Sequence, residues 1–463
     1  MSPPPDFSAL TSAEKDALIA TLLARLEAMD ARIAALEKEN AALREKLNLP
    51  PKTPDNSSLP PSHGHKASGE TSGKPKGKPH AGAHRPLHPN PTRKRDVMAT
   101  HCQHCAADVS AVAQTALQSY DRIEIPEIRP DVTRVTLHGG LCPCCSKRFK
   151  AEPPRELEPG SPPGPDPGLR AFAIYLRASH AVSFERLARL MSDMLGLEIS
   201  EGALVNILDD SRNAFAEQMS LIRARLLSGS ILQSDETSVR VGKKTWWTWV
   251  FHHDKDCCFV VAPSRGKAVI EEFLGEHRPD YWVSDRLAAQ MGWARKEHQV
   301  CLAHLLRDVQ YAIDAGDSRF APPLANPGFN PGDACAIGRR RAQLADATLR
   351  GYAAKLDKKL NALLCVAPTG AEGNKLKNTI KRFRQHLFVF VTNRNLPPTN
   401  NGSEQAIRPC VIFRKVTNCF RSEWGAKLYA DVRSVLETAR RRAIDPLTAI
   451  RLTLNGHALP TGA

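Results

Sequence analysis

The sequence predicts a multidomain α+β protein. Three observations carry that expectation. Residues 19–47 hold a strict heptad pattern, and from residue 231 the text changes to β-rich runs followed by a helix and a further strand. Between them, prolines, glycines and paired cysteines break the chain into modules. The 463 residues suit about three domains at roughly 150 residues each. A hydrophobic content of 42% can build real cores, which excludes a wholly disordered chain. No apolar run reaches the ~18 residues of a membrane span. The start, MSPPPDFSAL, lacks the basic and apolar regions of a secretion signal, so a cytoplasmic chain is expected. A net charge of +15 and a pI near 9.4 favour a polyanionic partner, although composition alone does not separate DNA from RNA or an acidic membrane surface. Twelve cysteines in such a chain argue for metal or free thiols over disulfides.

Residues 1–49 are expected to form a dimerising helix. Heptad position a holds Ile19, Leu26, Ile33, Asn40 and Leu47, and position d holds Leu22, Met29, Leu36 and Leu43. Parallel pairing of two copies in register would oppose Arg25 to Asp30, Arg32 to Glu37 and Glu39 to Arg44. β-branched residues at a, Leu at d and one Asn at a favour two strands. Pro50 and Pro51 end the helix. Residues 50–100 are rich in Pro, Gly, Ser, His and Lys, and predict a mobile linker, since burial cannot offset its ordering entropy. Lys74, Lys76, Lys78, Arg93, Lys94 and Arg95 in it could touch phosphates without reading sequence.

Residues 101–150 carry Cys102-x2-Cys105 and Cys142-x2-Cys145. Two such pairs supply four thiolates to one tetrahedral, structural Zn²⁺, with Cys144, His101 and His104 as further candidates. The strand-like text YDRIEIPEIRPDVTRVTLHGGL between them predicts a hairpin, and EPGSPPGPDPG closes the module. Residues 165–228 have helical spacing. SFERLARLMSDMLGLEISEGALVNILDD reads as a helix, a turn at Gly196, Ser200 as N-cap and a second helix. That pattern fits a helix-turn-helix DNA-binding segment and equally a plain packed pair.

Residues 229–442 are expected to form the catalytic domain. ILQSDETSVRV, TWWTWVFHH and CCFVVAP read as an antiparallel meander, KAVIEEFLGEH as a helix, and YWVSD as a fourth strand returning to the sheet. This is the ribonuclease H-like order. Asp235 falls in the first strand and Asp285 at the end of the fourth, where neighbouring strands let the carboxylates converge. Glu404 follows in a late helix, in PPTNNGSEQAIRP, started by the Pro pair and Asn400 or Asn401, with Arg408 one turn on. Three carboxylates suit two Mg²⁺ (or Mn²⁺) ions about 3.5–4 Å apart. The long step from Asp285 to Glu404 predicts a basic helical insertion over about 305–395, which could grip DNA or serve as a scaffold. For Cys301-x2-His304, two further ligands are not evident in the sequence, so a packing or hydrogen-bonding role is expected. Arg408, Arg414, Lys415 and Arg421 are expected to contact phosphates, Arg440, Arg441 and Arg442 to serve as helix-end charge or non-specific DNA contacts, and residues 443–463 to form a C-terminal tail.

Across nearly its whole length the chain resembles the transposases of the bacterial insertion sequence 66 family, DDE enzymes of the ribonuclease H-like class. The resemblance rests on the heptads, NSSLPPS, the paired CxxC module, SDETSVRV, HQVCLAHLLRD and, most specifically, TNNGSEQAIRPCVIFRKVTNCFRSEWGAKLYADVRSVLETARRR. It implies that Asp235, Asp285 and Glu404 are the DDE triad. It also implies metal-dependent cleavage and transfer of the element's terminal repeats into target DNA by an oligomer at the nucleoid, with small accessory proteins as companions. Arg286 stands where the family often has Gly, Gln290 where an aromatic is common, and Gln405 where Arg is usual. The rival readings are a non-catalytic DNA-binding regulator and a ribonuclease H-like nuclease.

Overall fold

The structure is a computed structural model that describes residues 11–47, 49–53, 56–57, 85–154, 168–325 and 337–461. Lys74, Lys76, Lys78, the proline-rich stretch 155–167 and the side chains of Leu43, Arg44 and Leu47 lie outside the described residues. The chain divides into two compact units. One comprises Met1–Gly64, Pro153–Phe184 and Gly202–Ala463, and the other His65–Glu152 and Glu185–Glu201.

The larger unit is built on a five-stranded sheet. β3 (Ile231–Val241), β4 (Lys244–His253) and β5 (Asp256–Ala262) form the expected antiparallel meander. (β1 and β2 belong to the smaller unit, below.) A helix, Lys267–Leu274, crosses over, and β6 (Tyr281–Ser284) returns parallel to β3. A further strand, β7 (Glu297–Val300), pairs parallel with β6, so the order is β5-β4-β3-β6-β7. The sequence reading stopped at four strands. The fifth is only four residues of EHQV text, too short for alternation to reveal it.

Alternate side chains of the central strands feed opposite cores, as the two-residue period of a strand requires. Leu232 and Trp282 join one cluster with Trp249, Phe251 and Phe259; Ile231 and Val283 join another. The first is covered by the helices Gly168–His180, Arg212–Leu227, Asn401–Thr417 and Glu423–Arg441, through Ile174, Phe215, Phe413 and Val435. Much of the segment 165–228 is thus a layer of this core. The edge strand β5 is closed by hydroxyls of the helix Glu423–Arg441. Ser434 Oγ accepts from Phe259 N at 2.8 Å, and Thr438 Oγ1 accepts from Cys257 N at 3.1 Å.

The second cluster is covered by the insertion. Its helices Leu302–Asp314, Asp346–Leu364 and Ala371–Phe383 bury Leu305, Leu360 and Ile380 against Val283 and Val300. The buried Asp317 carboxylate ties the turn after Leu302–Asp314, accepting from the backbone N–H groups of Phe320 (2.7 Å), Ala321 (3.0 Å) and Thr369 (3.2 Å). Gly373 makes this possible: a Cβ there would stand 1.7 Å from Asp317 Oδ2.

Three expectations are corrected in this unit. Residues 443–463 are not a free tail. Asp445 caps a helix, Pro446–Leu454, with Pro at its start, and Ile450 and Leu459 are buried. Asp445-Pro446 ahead of an apolar period was a legible start signal. Arg440 and Arg441 are helix-end charge as expected, in the last turn of Glu423–Arg441 and paired with Glu437, but Arg442 is buried against Asp256 and serves the fold. The linker is anchored at its beginning: Asn56 is buried and donates to Asp314 Oδ2 at 2.9 Å.

The N-terminal helix, Ser12–Leu47, forms over the heptads as expected. Its a and d side chains Ile19, Leu22, Leu26, Met29, Ile33 and Leu36 are 43–60% exposed.

In the smaller unit, β1 (Gly139–Leu141) and β2 (Arg148–Lys150) pair antiparallel around the second CxxC. The hairpin expected from residues 120–141 is absent, apart from those three-residue strands. Ile125 and Val132 there are mostly exposed, and burial is what rewards strand-forming text. The helix Phe184–Leu195 forms and ends at the Gly196 turn; Glu201–Asp210, which begins directly after Ser200, belongs from Gly202 on to the larger unit.

Candidate active site

Two elements of the sheet bring the acidic residues together. The parallel ladder pairs Ile231 with Tyr281, Leu232 with Trp282 and Gln233 with Val283. Two residues further along the same register, Asp235 comes beside Asp285. The helix Asn401–Thr417 packs across β3 and β4 and carries Glu404 in its first turn. The charges of Asp285, Glu236 and Glu404 all act on Asp235. Burial first, and then those neighbours, push its carboxyl well above the ordinary range, against one backbone N–H from Glu236 at 2.8 Å. The three residues chosen from the sequence are therefore near enough for the charges of Asp285 and Glu404 to act on Asp235, while the three carboxylates do not all lie within 4.8 Å of one another.

A hydrogen-bond chain docks the start of the Glu404 helix on the sheet. Arg441 Nη1 lies 3.1 Å from His252 Nδ1, and a guanidinium can only donate, so Nδ1 accepts and the proton sits on Nε2. His252 Nε2 then donates to Ser403 Oγ (2.9 Å), Ser403 to Asn400 Oδ1 (2.6 Å), and Asn400 Nδ2 to the Ser234 carbonyl (2.8 Å). Burial, then the Arg441 charge, hold His252 well below the usual histidine range, so the ring stays neutral. Gly402 lets the helix approach: a Cβ there would lie 3.2 Å from His252 Cε1. Sequence reasoning saw Asn400 only as a helix start and missed His252 and Ser403, whose partners are 151 residues apart.

Glu236 is a fourth carboxylate that the sequence reading passed over. Arg265 Nε donates to it at 2.9 Å, and Gln290 Nε2 donates to its other oxygen. Gln290 also accepts from Ser234 Oγ (2.9 Å), which accepts from Trp282 Nε1 (2.8 Å). The residue that departs from the family pattern is thus fully buried and pins Glu236. Arg286, another departure, pairs with Asp308 at 2.5 Å.

Asp285 has a second set of neighbours. Its carboxylate, Cys301 Sγ and His304 lie with their ligand atoms within 4.8 Å of one another, the one such group of three or more among the described residues. His304 Nδ1 is 3.1 Å from Asp285 Oδ1, yet both are buried atoms without a well-directed hydrogen bond. Burial opposes charge on His304, but its contacts with Asp285 and Cys301 outweigh that and raise it to about 10. Cys301 is buried and accepts a hydrogen bond from Asn400 N, in line with the expected packing or hydrogen-bonding role, and Asp285 is one of the two further donors that the sequence did not show.

The remaining candidates are placed as follows. Arg408, Lys415 and Arg421 are exposed. Arg414 instead donates to Thr237 Oγ1 at 3.0 Å and to the Ser238 carbonyl, fastening the helix to β3. Each CxxC pair closes a knuckle by backbone hydrogen bonds: Ala106 N to the Cys102 carbonyl and Ser146 N to the Cys142 carbonyl, both 2.9 Å. N–H groups of His104 and Cys105 lower the Cys102 thiol, and those of Cys145 and Cys144 lower Cys142. No three of the four sulfurs lie within 4.8 Å of one another. No helix among the described residues is long and apolar enough to cross a membrane.

A profile of the family described as "Transposase IS66 family" matches residues 164–428, more than half of the chain. The comparison with curated proteins gives no match.

Proposed function

The chain belongs to the IS66 transposase family, and from that premise we propose that it cuts the ends of an insertion sequence and joins their 3′-hydroxyls to target DNA. Membership makes it a nucleic-acid-processing protein that works on DNA; the strand chemistry is our reading. The observation that supports it is that Asp235, on a sheet of ribonuclease H-like order, feels the charges of Asp285 and Glu404.

These acids fit divalent cations. The charges of Asp285, Glu236 and Glu404 act on Asp235 and, with burial, push its carboxyl well above the ordinary range. Oxygen donors of this kind suit Mg²⁺ or Mn²⁺. A bound pair of ions would supply charge stabilisation to the attacking and leaving oxygens of an in-line displacement. The chain's own part is positioning. The Arg441–His252–Ser403–Asn400 chain sets the helix that presents Glu404, and Gln290 and Arg265 hold Glu236 beside the triad. Arg408, Lys415 and Arg421 would take phosphates flanking the cut.

The other modules complete the reading. The exposed heptad face of Ser12–Leu47 supports a parallel coiled-coil dimer. Cys102, Cys105, Cys142 and Cys145, on two preformed knuckles, support one structural Zn²⁺. Phe184–Leu195 and Glu201–Asp210 are offered as a helix-turn-helix that meets terminal-repeat DNA. Accessory transposition proteins and location at the nucleoid belong to the same proposal.

The test is the full chain with terminal-repeat DNA in Mg²⁺. Asp235→Asn should abolish strand cleavage and strand transfer while retaining DNA binding. Joining at the parent rate by that variant would sink the assignment.

A further inference from the structure

We propose that Asp285, Cys301 and His304 form a binding site for a thiophilic divalent cation of the zinc class, distinct in donor chemistry from the carboxylate pocket that shares Asp285. Three donor types meet here: a carboxylate oxygen, a thiol sulfur and an imidazole nitrogen, all within 4.8 Å of one another. Donors around a tetrahedral Zn²⁺ stand about 3.3–3.6 Å apart, given bond lengths of about 2.0–2.3 Å, so a small contraction closes the site. Soft sulfur and imidazole nitrogen select Zn²⁺ over Mg²⁺, which wants oxygen.

The surroundings fit a metal thiolate. Cys301 Sγ is buried and accepts a hydrogen bond from Asn400 N at 3.1 Å, the outer contact that favours sulfur in its anionic form. Cys301 also stands at the N-cap of the helix Leu302–Asp314, whose dipole favours negative charge there. His304 is one turn along that helix, on the same side. Asp285 Oδ1 and His304 Nδ1 are buried polar atoms 3.1 Å apart whose contact is not a well-directed hydrogen bond, and a cation binding here would take the place of the proton on His304. The Asp285 side chain is 28% exposed, so an ion can enter from its side. Three protein ligands leave a fourth position open, unlike the closed four-thiolate set proposed for the knuckles.

Binding stands on this geometry alone. Its consequence rests on the strand-transfer reading: an ion here engages Asp285 and, through Cys301 and Asn400, the start of the Glu404 helix, so Zn²⁺ would inhibit the Mg²⁺ reaction.

The experiment counts metal without DNA, so it can fail independently of the strand-transfer assay. Full-chain protein and its Cys301→Ser and His304→Gln variants are stripped with chelator, reloaded with Zn²⁺ or Co²⁺, dialysed and checked for fold by circular dichroism. The knuckle ion is common to all three and cancels. Each variant should retain one equivalent of Zn²⁺ less than the parent, and Cys301→Ser should lose one thiolate's share of the thiolate-to-Co²⁺ charge-transfer absorption. Equal metal content in parent and both folded variants overturns the site. Loss in only one folded variant overturns the three-ligand arrangement. If one variant does not fold, the other alone decides by the same criterion.

Discussion

A carboxyl group buried beside other carboxylates is costly to ionise, and Asp235 bears that cost. Its folded-state pKa lies above its unfolded value, so its contribution to stability is complete below the unfolded value and is lost as pH rises through the folded one. At neutral pH without metal the ionised group is therefore a liability. Asp235→Asn should raise the Tm in chelator, by roughly 2–4 °C for each kcal/mol removed. Mg²⁺ should raise the Tm of the parent and leave the variant nearly unmoved. Scanning calorimetry reads both, and a variant melting below the parent in chelator would contradict the account. The same crowding that destabilises the metal-free fold prepares the pocket for cations.

At the scale of elements, two joints decide whether the catalytic unit holds. One is the turn after the first helix of the insertion, where Gly373 admits the Asp317 carboxylate. Gly373→Ala displaces that carboxylate from three or more backbone donors, and should cost about 1–3 kcal/mol by urea unfolding. An unchanged midpoint would show that the turn yields without loss. The other is the N-terminal helix. Its exposed stripe asks for a partner of equal length, and a second copy supplies one. Leu26→Lys places a charge at the centre of that seam and should convert dimer to monomer in sedimentation equilibrium. A variant that stays dimeric would place the subunit contact elsewhere.

At the scale of the molecule, a net charge of +15 is the broadest feature. If six or more phosphates are neutralised, affinity for non-specific duplex should fall by on the order of 10³ or more between about 50 and 200 mM salt. Arg408→Ala should lower the slope of log affinity against log salt by about one. A salt-independent affinity would mean that the positive charge faces inward. Part of it does: Arg414, Arg441 and Arg442 are consumed by Ser238, Glu437 and Asp256.

The sequence by itself determined the strand meander, the crossover helix, the insertion and the three acids. Each is a local pattern: a period, a breaker, a charge set into an apolar run. Asp235, Asp285 and Glu404 could be named because they fall in the first strand, at the end of the fourth and in a late helix, the order in which this sheet would carry acids. The tertiary structure alone decided what those acids touch. His252 meets Ser403 and Asp285 meets His304 because strand register and helix packing bring distant residues within 3.1 Å, and no window along the chain contains both partners. It also decided which arginines remain outside, since a basic side chain looks the same in text whether it ends in solvent or on a buried aspartate. The physical reason is range: hydrophobic periodicity acts over one turn or two residues, whereas hydrogen bonds and charges are settled by distance in space.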